Sequence, residues 1–473
     1  MLFPTVEFAL FFLTVLLVAW SLHRWNGPHK FFLLAASYFF YGCWSWSYVP
    51  LLFGISLVSG LVAQRIQASH TQKVRKLWLA TGVVICLSTL GYYKYIAFLL
   101  TTVLNVWANF AHPPRMRIPE PLLPLGVSFF IFHAISLMMD AFRGKLKERI
   151  RLHDALLYVA FFPQLIAGPI LRASSFLPQL RVSRNAAAIR VNRALLLIVA
   201  GLFKKVVISN LLVTRLVEQV FAAPQAFSRS DALLAIYGYA AQIFCDFSGY
   251  TDIAIGCAML LGYRFPRNFN APYSATDPQD FWRRWHISLS SWLRDYLYIP
   301  LGGSRGPAWR TYLNLMITML LGGLWHGAAW TFVIWGALHG VYLVVHRLWG
   351  SISWKPIQHL RRTAAWTWAS RLLLFHAVCL GWVFFRSPSF GIAFAMLRRL
   401  AIPGACTLFT VPVALALFTG LAGQFQPLRW RKALEFELGR WPAIARGAAF
   451  ATAISAIEVL GPSGVAPFIY FRF

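Results

Sequence analysis

Acidic residues are scarce in this sequence. Its 473 residues hold 15 Asp and Glu against 44 Lys and Arg, a formal charge of +29. Charged residues of both signs make up only 12% of the chain, where a soluble domain carries about a quarter. With 58% hydrophobic residues and a mean hydropathy of +0.59, that deficit excludes a soluble globular protein and indicates an integral membrane protein. No long polar stretch separates the apolar runs, so residues 1–473 read as one membrane-embedded body with no soluble domain.

Other absences narrow the chemistry. None of the six cysteines, Cys43, Cys86, Cys245, Cys257, Cys379 and Cys406, forms a CxxC or a close Cys/His spacing, so there is no case for a metal site or a disulfide framework. Most lie in apolar runs and read as buried thiols. No GxSxG elbow or Cys/His nucleophile pattern is present, which disfavours an acyl-enzyme. The basic excess would suggest nucleic acid in a soluble protein. Here the basic residues sit mostly in short loops between apolar runs, as the positive-inside rule expects, with attraction of an anionic substrate as a secondary role.

Apolar runs then fill the chain. The first, Phe3 to Trp20, has no positive segment before it and no small-residue cleavage site after it, so it reads as a retained helix. Arg24 and Lys30 follow, placing the N-terminus outside and the first loop in the cytoplasm. Further runs cover Phe31–Val49, Val49–Gln64, Leu77–Trp107 (one tilted helix or two) and Leu122–Asp140. The stretch FFPQLIAGPILR breaks an apolar run with Pro163, Gly168 and Pro169. It is either a segment that turns inside the protein or two helix ends with a tight turn. Val191–Val213 carries Lys204 and Lys205 in its middle, which must snorkel, mark a helix end or face a polar cavity, the helix end being slightly favoured. Ala232–Tyr263 embeds Asp246 and Asp252, a structural ion pair or an active-site pair. Later runs near Tyr312–Val345, Leu372–Phe385, Pro403–Leu421 and Ile444–Leu460 bring the total to roughly eleven to thirteen membrane segments by span length.

The chemistry concentrates between Asp280 and Gly340. From Phe281 to Tyr296, Trp282, Trp285, Leu289, Trp292 and Tyr296 recur at spacings of three and four, with Arg283, Arg284, Ser291, Arg294 and Asp295 opposite. That pattern is one amphipathic helix lying in the membrane interface, with His286 at the edge of its apolar face. His286 there is either a hydrogen-bonded core residue or a functional one. Pro300, Gly302 and Gly303 end the segment. His326 is flanked by Gly322, Gly323 and Gly327 in an apolar run. The glycines leave room for a substrate or allow close helix packing. An imidazole in lipid-depth sequence is costly and reads as functional, and it suits general-base activation of a hydroxyl. His339 and His346 rank below it.

These residues resemble the membrane-bound O-acyltransferases, specifically the branch of bacterial alginate O-acetyltransferases. The resemblance rests on FFPQLIAGPILR, DFSGYTDIAIG, NFNAPYSATDPQDFWRRWHISLSSWLRDYLYIPLGG, GGLWHGAAWTFVIWGALHG and a C-terminal PFIYFRF, and covers essentially the whole chain. It implies an all-α, polytopic fold with re-entrant and interfacial helices around a central tunnel, its motif-bearing region at about 240–346. It implies that His326 is the catalytic histidine and His286 the second characteristic polar position, with Trp325, Arg294, Asp295, Asp246 and Asp252 as candidate substrate-binding residues. The implied donor is acetyl-coenzyme A on the cytoplasmic side of a bacterial inner membrane, with no bound cofactor. The polysaccharide acceptor is reached indirectly, through a periplasmic partner with a serine-hydrolase-like (SGNH) fold. D-alanyl transfer to teichoic acid is the alternative within the family. A transporter is the alternative outside it, although no internal repeat supports one.

Overall fold

A computed structural model describes residues 3–110, 118–353, 355–462 and 468–469. Among them every regular element is helical. Of the C-terminal PFIYFRF motif only Phe468 and Ile469 fall within the described residues.

Among the described residues seven helices are long and apolar enough to cross a membrane, or eight if the bent pair Val411–Phe425 and Arg429–Arg440 is one span. The sequence count of eleven to thirteen membrane segments includes re-entrant and interfacial helices, which these seven leave out. Val6–Ser21 and Val127–Phe142 are apolar but only 16 residues each, short of the ~20 a bilayer needs. The stretch Gln72–Trp107 is one helix of 36 residues, with a π-helical turn at Gly91–Tyr95. Leu10, Leu17, Leu373, Phe418 and Ile444 are exposed, the surface expected against lipid tails rather than water. Of the six cysteines, Cys43 and Cys406 are exposed and the other four are buried.

The chain groups into two compact units, Met1–Arg190 with Cys257–Pro266, and Val191–Gly256 with Arg267–Phe473. In the first unit, Val49–Ala68 packs on Gln72–Leu90, Val127–Phe142 and Leu152–Ala160. The FFPQLIAGPILR stretch does turn inside this unit: a helix ends at Ala160, one short turn covers Phe162–Leu165, and Asp154 to Leu171 are all buried. Irregular backbone survives there because neighbours satisfy it. Ser37 Oγ accepts from the Phe162 N–H (3.2 Å), His133 Nε2 from the Leu171 N–H (3.2 Å), and the Tyr158 hydroxyl donates to the Leu171 carbonyl (2.7 Å). Lys30 is not a loop residue. It lies in the Asn26–Gly42 helix, buried, with its ammonium 2.7 Å from the equally buried Asp154 carboxylate.

The second unit corrects three sequence expectations. Lys204 and Lys205 do not mark a helix end: Val191–Ala222 is one helix of 32 residues with π-helical turns at Phe203–Ser209 and Val213–Val217. The Tyr312–Val345 run is not one span but a hairpin, Ala308–His326 and Trp330–Ser351. Its arms run antiparallel and close, since a Cβ on Gly323 would strike the Phe332 carbonyl, on Gly336 the Met319 carbonyl, and on Gly340 the Met316 sulfur. Glycine there serves close packing.

The amphipathic helix from Phe281 to Tyr296 is broken. Pro278–Arg284 and Ile287–Leu293 are separate helices, and His286 between them has φ +41°, a left-handed conformation that side chains other than glycine rarely adopt. Asn268 holds the break: its carbonyl accepts from the Ile287 N–H (2.8 Å), and its Oδ1 accepts from the Ser288 N–H (3.0 Å) and hydroxyl (2.9 Å). The aromatic face is also not an interface face. Phe281, Trp285, Leu289, Trp292 and Tyr296 are buried in protein.

Two stability outcomes follow. His286→Gly is expected to melt higher than His286→Ala by the equivalent of about 1 kcal/mol, because a left-handed residue is relieved by glycine. A helical His286 would reverse the order, and thermal unfolding of the two purified variants decides. Lys30→Ala strands a buried carboxylate and is expected to cost about 3–5 kcal/mol, whereas Lys30→Met combined with Asp154→Leu recovers most of it. Equal melting of the single and double variants would contradict a buried pair.

Candidate functional site

The site is built from the second unit alone. Its frame is the pair of long helices Val191–Ala222 and Arg229–Leu260, which touch where Gly201 and Gly249 face each other's carbonyls. Adjacent residues of an α-helix point about 100° apart, so Lys204 and Lys205 could not both face one partner helix from a regular turn. The π-helical turn at Phe203–Ser209 alters that spacing. Lys205 then pairs with Asp246, both almost fully buried, and Lys204 with Asp252 at 2.5 Å, where Ser248 Oγ also accepts at 3.1 Å. Asp246 further accepts from Ser209 Oγ (3.3 Å) and the Ile469 N–H (2.9 Å). The two carboxylates are thus ion-pair partners of lysines.

The histidines come together around one indole. His326 is the last residue of the Ala308–His326 helix, at the hairpin turn, and is only 3% exposed. Its ring centre lies 4.9 Å from Trp325, 4.9 Å from Trp335 and 5.2 Å from Phe385. The His286 ring lies 6.0 Å from Trp325 and stands edge-on to Phe247 at 4.6 Å. Trp325 therefore touches both imidazoles.

Asn268 also orients His286. Its Oδ1 is identified as oxygen by the Ser288 N–H that it accepts, so His286 Nδ1, 3.2 Å away, must be the donor. That leaves the Nε2 lone pair of His286 buried without a hydrogen-bond partner. His286 lies outside the seven spans, and burial lowers its pKa, so the ring is neutral at physiological pH.

Beyond the hairpin turn, the wall of a cavity of about 340 Å³ includes Gly327, Thr331 and Phe332 with Lys205, Asp246 and Arg386. His326 precedes that wall by one residue. Of the other sequence candidates, Asp246 lines the cavity and Asp252 does not. Arg294 and Asp295 pair with each other at 2.7 Å, with the arginine mostly exposed, and neither lines the cavity. His339 is buried among Phe281, Trp282 and Trp335, and half-exposed His346 sits 3.7 Å from Asp277. Among the described residues no three His, Cys, Asp or Glu come together as metal ligands would.

Sequence reasoning missed Asn268, Arg386 and Thr331. Asn268 lies in a polar stretch with no chemical motif of its own, and Arg386 follows an apolar run, where a basic residue is ordinary. Thr331 carries no signal of its own in the sequence.

The profile of the MBOAT, membrane-bound O-acyltransferase, family matches residues 134–385, which include both histidines and the Lys204–Asp252 and Lys205–Asp246 pairs. The protein of Azotobacter vinelandii named Probable alginate O-acetylase AlgI is 41% identical over 379 residues, 80% of this chain and 73% of that protein. The peptidoglycan O-acetyltransferase of Helicobacter pylori is 38% identical over 395 residues, 78% of this chain and 73% of that one. More distant is the teichoic acid D-alanyltransferase of Bacillus subtilis, 29% identical over 353 residues, 71% of this chain and 83% of that one. This multi-pass membrane protein belongs to the membrane-bound O-acyltransferase family and is an O-acyltransferase.

Proposed function

We propose that the chain is an O-acetyltransferase of the bacterial cytoplasmic membrane, with its N-terminus on the periplasmic side. It draws acetyl groups from acetyl-coenzyme A and serves O-acetylation of an exopolysaccharide such as alginate. The observation that carries the acetyl reading is the extended similarity to an alginate O-acetylase and a peptidoglycan O-acetyltransferase, against a weaker one to a D-alanyltransferase. A periplasmic partner with a serine-hydrolase-like fold delivers the group to the polysaccharide.

The chemistry assigned to the site is direct transfer. The acceptor hydroxyl attacks the thioester carbonyl, His326 removes the hydroxyl proton as the new ester bond forms, and the C–S bond breaks. The proton then passes to the departing thiolate, giving coenzyme A as the free thiol. A base needs an imidazole within reach of the hydroxyl, and His326 at the hairpin turn stands one residue from the cavity wall. His286, fixed by Asn268 and touching the same indole, assists by holding Trp325 and the local geometry.

The reading is tested with inverted membrane vesicles supplied with acetyl-labelled coenzyme A. Wild-type vesicles are expected to release free thiol and move label into product. His326→Ala is expected to lower the rate by about 10²–10⁴-fold, the usual contribution of a general base, while remaining folded in the membrane. Near-normal transfer by that variant removes His326 from the mechanism. Failure of wild type with acetyl-coenzyme A, together with transfer from a D-alanyl carrier, favours the alternative within the family.

A further inference from the structure

Three polar atoms beside the paired histidines have no hydrogen-bond partner in the protein. His339 Nε2, Trp335 Nε1 and Trp282 Nε1 are all buried. They belong to one ring cluster: the His339 ring lies 4.7 Å from Trp335 and 5.1 Å from Trp282, and the two indoles are 5.8 Å apart. Trp335 and His339 stand four residues apart on the Trp330–Ser351 helix, hence on one face, while Trp282 comes from the Pro278–Arg284 helix. Each such atom costs free energy if it stays unpaired, so three in one place call for a shared partner.

Gly381 shows where that partner fits. It lies on the Ala364–Arg386 helix, which packs against Trp330–Ser351. A Cβ built on Gly381 would stand 3.2 Å from His339 Nε2, 3.4 Å from Trp335 Cδ1 and 3.6 Å from Trp335 Nε1, and these are the atoms nearest to it. The glycine thus leaves room for one atom-sized group, and both nitrogens are within a few tenths of an ångström of hydrogen-bond range. His339 and Trp335 are each 1% exposed and Gly381 is buried, which restricts the occupant to something as small as water. Water suits either tautomer of His339, since it accepts from the indole N–H and either donates to Nε2 or accepts from it.

We propose that His339 is a positioning residue for acyl transfer: with Trp335 it holds one buried water in the space at Gly381, and this water fixes the indole against which His326 stands. The His326 and Trp335 ring centres are 4.9 Å apart, with the rings edge-on at 83°. His339 acts only through Trp335. An indole free to rock would let the base wander, and a misplacement of about 1 Å can cost on the order of 100-fold in rate. The positioning role rests on His326 as the base, and so on the acyl-transfer reading above, whereas the water site does not.

Structure, stability and kinetics test it together. A high-resolution structure of the purified wild-type chain is expected to show one ordered water about 2.7–3.2 Å from both nitrogens. Gly381→Ala puts a methyl in its place. With the water displaced, two polar atoms stay unpaired and the variant is expected to melt below wild type; a dry space reverses the order, because alanine favours the helix and fills the gap. The new methyl would sit tightly against His339 Nε2, so the histidine variants give an independent reading. His339→Gln keeps a polar atom for the water, and His339→Leu removes it. In membrane vesicles with acetyl-coenzyme A, His339→Leu is expected to lower kcat per folded enzyme about tenfold at unchanged KM, the scale of one lost buried hydrogen bond. His339→Gln is expected to recover most of that loss. A dry site in wild type, an unchanged kcat in folded His339→Leu, or equal losses in the Leu and Gln variants overturns the proposal. Water at the site in a chain that transfers no acetyl group keeps the water site and loses the acyl-transfer reading. Acetyl transfer by a wild type with a dry site keeps the enzyme and loses the proposal.

Discussion

Charge buried in an apolar body must find a counter-charge, and the second unit is arranged around that requirement. Moving a carboxylate or ammonium out of water costs several kcal/mol per ion even after relaxation. A helix that crosses lipid with two lysines in its middle is tenable only if both are neutralised. Asp246 and Asp252 on the neighbouring helix do this, and Gly201 and Gly249 let the two helices approach closely enough. The π-helical turn at Phe203–Ser209 is the local departure that goes with two consecutive lysines serving one partner. One consequence is functional: the buried Lys205–Asp246 pair forms part of the cavity wall and cancels there, so Arg386 sets the sign of the cavity.

A second local departure places the histidines. A left-handed residue costs about 1–2 kcal/mol, and His286 keeps that conformation because Asn268 receives four hydrogen bonds across the break. The break turns the Ile287–Leu293 helix and sets the His286 ring against Phe247 and Trp325. His326 reaches the same indole from the end of a hairpin whose glycines bring its arms together. Trp325, buried and shared, is the link between two motifs far apart in the chain.

Composition made the membrane class plain, because it reads out solvent directly; the proline and glycine of 161–172 marked a break in the apolar run, but only the packed structure shows that the segment turns inside the protein. The histidine motifs were equally plain, since ionisable groups in apolar sequence are rare. Helical periodicity could not reveal the break at His286, because Trp282, Trp285 and Leu289 keep their spacing through it and the cause is Asn268, which lies outside the periodic segment. Nor could it tell a packed aromatic face from one meeting the membrane interface, as both need the same residues. The carboxylate partners of Lys30, Lys204 and Lys205 are not legible in the sequence, because a lysine's partner is set by tertiary contact and hydropathy scores only its cost. Arg294 and Asp295 drew attention as charges beside the motif, yet they face each other away from the cavity wall.

The central claim is that chemistry occurs at His326, at the hairpin turn. A structure of the full chain bound to a non-hydrolysable acetyl-coenzyme A analogue tests it most directly. The account expects the acetyl carbon within about 6 Å of the His326 ring, room for one hydroxyl in hydrogen-bond reach of the base and about 3.5 Å from the carbon. It also expects the cavity beyond Gly327 to remain open for the acceptor. An acetyl carbon more than about twice that distance from His326 would contradict the account.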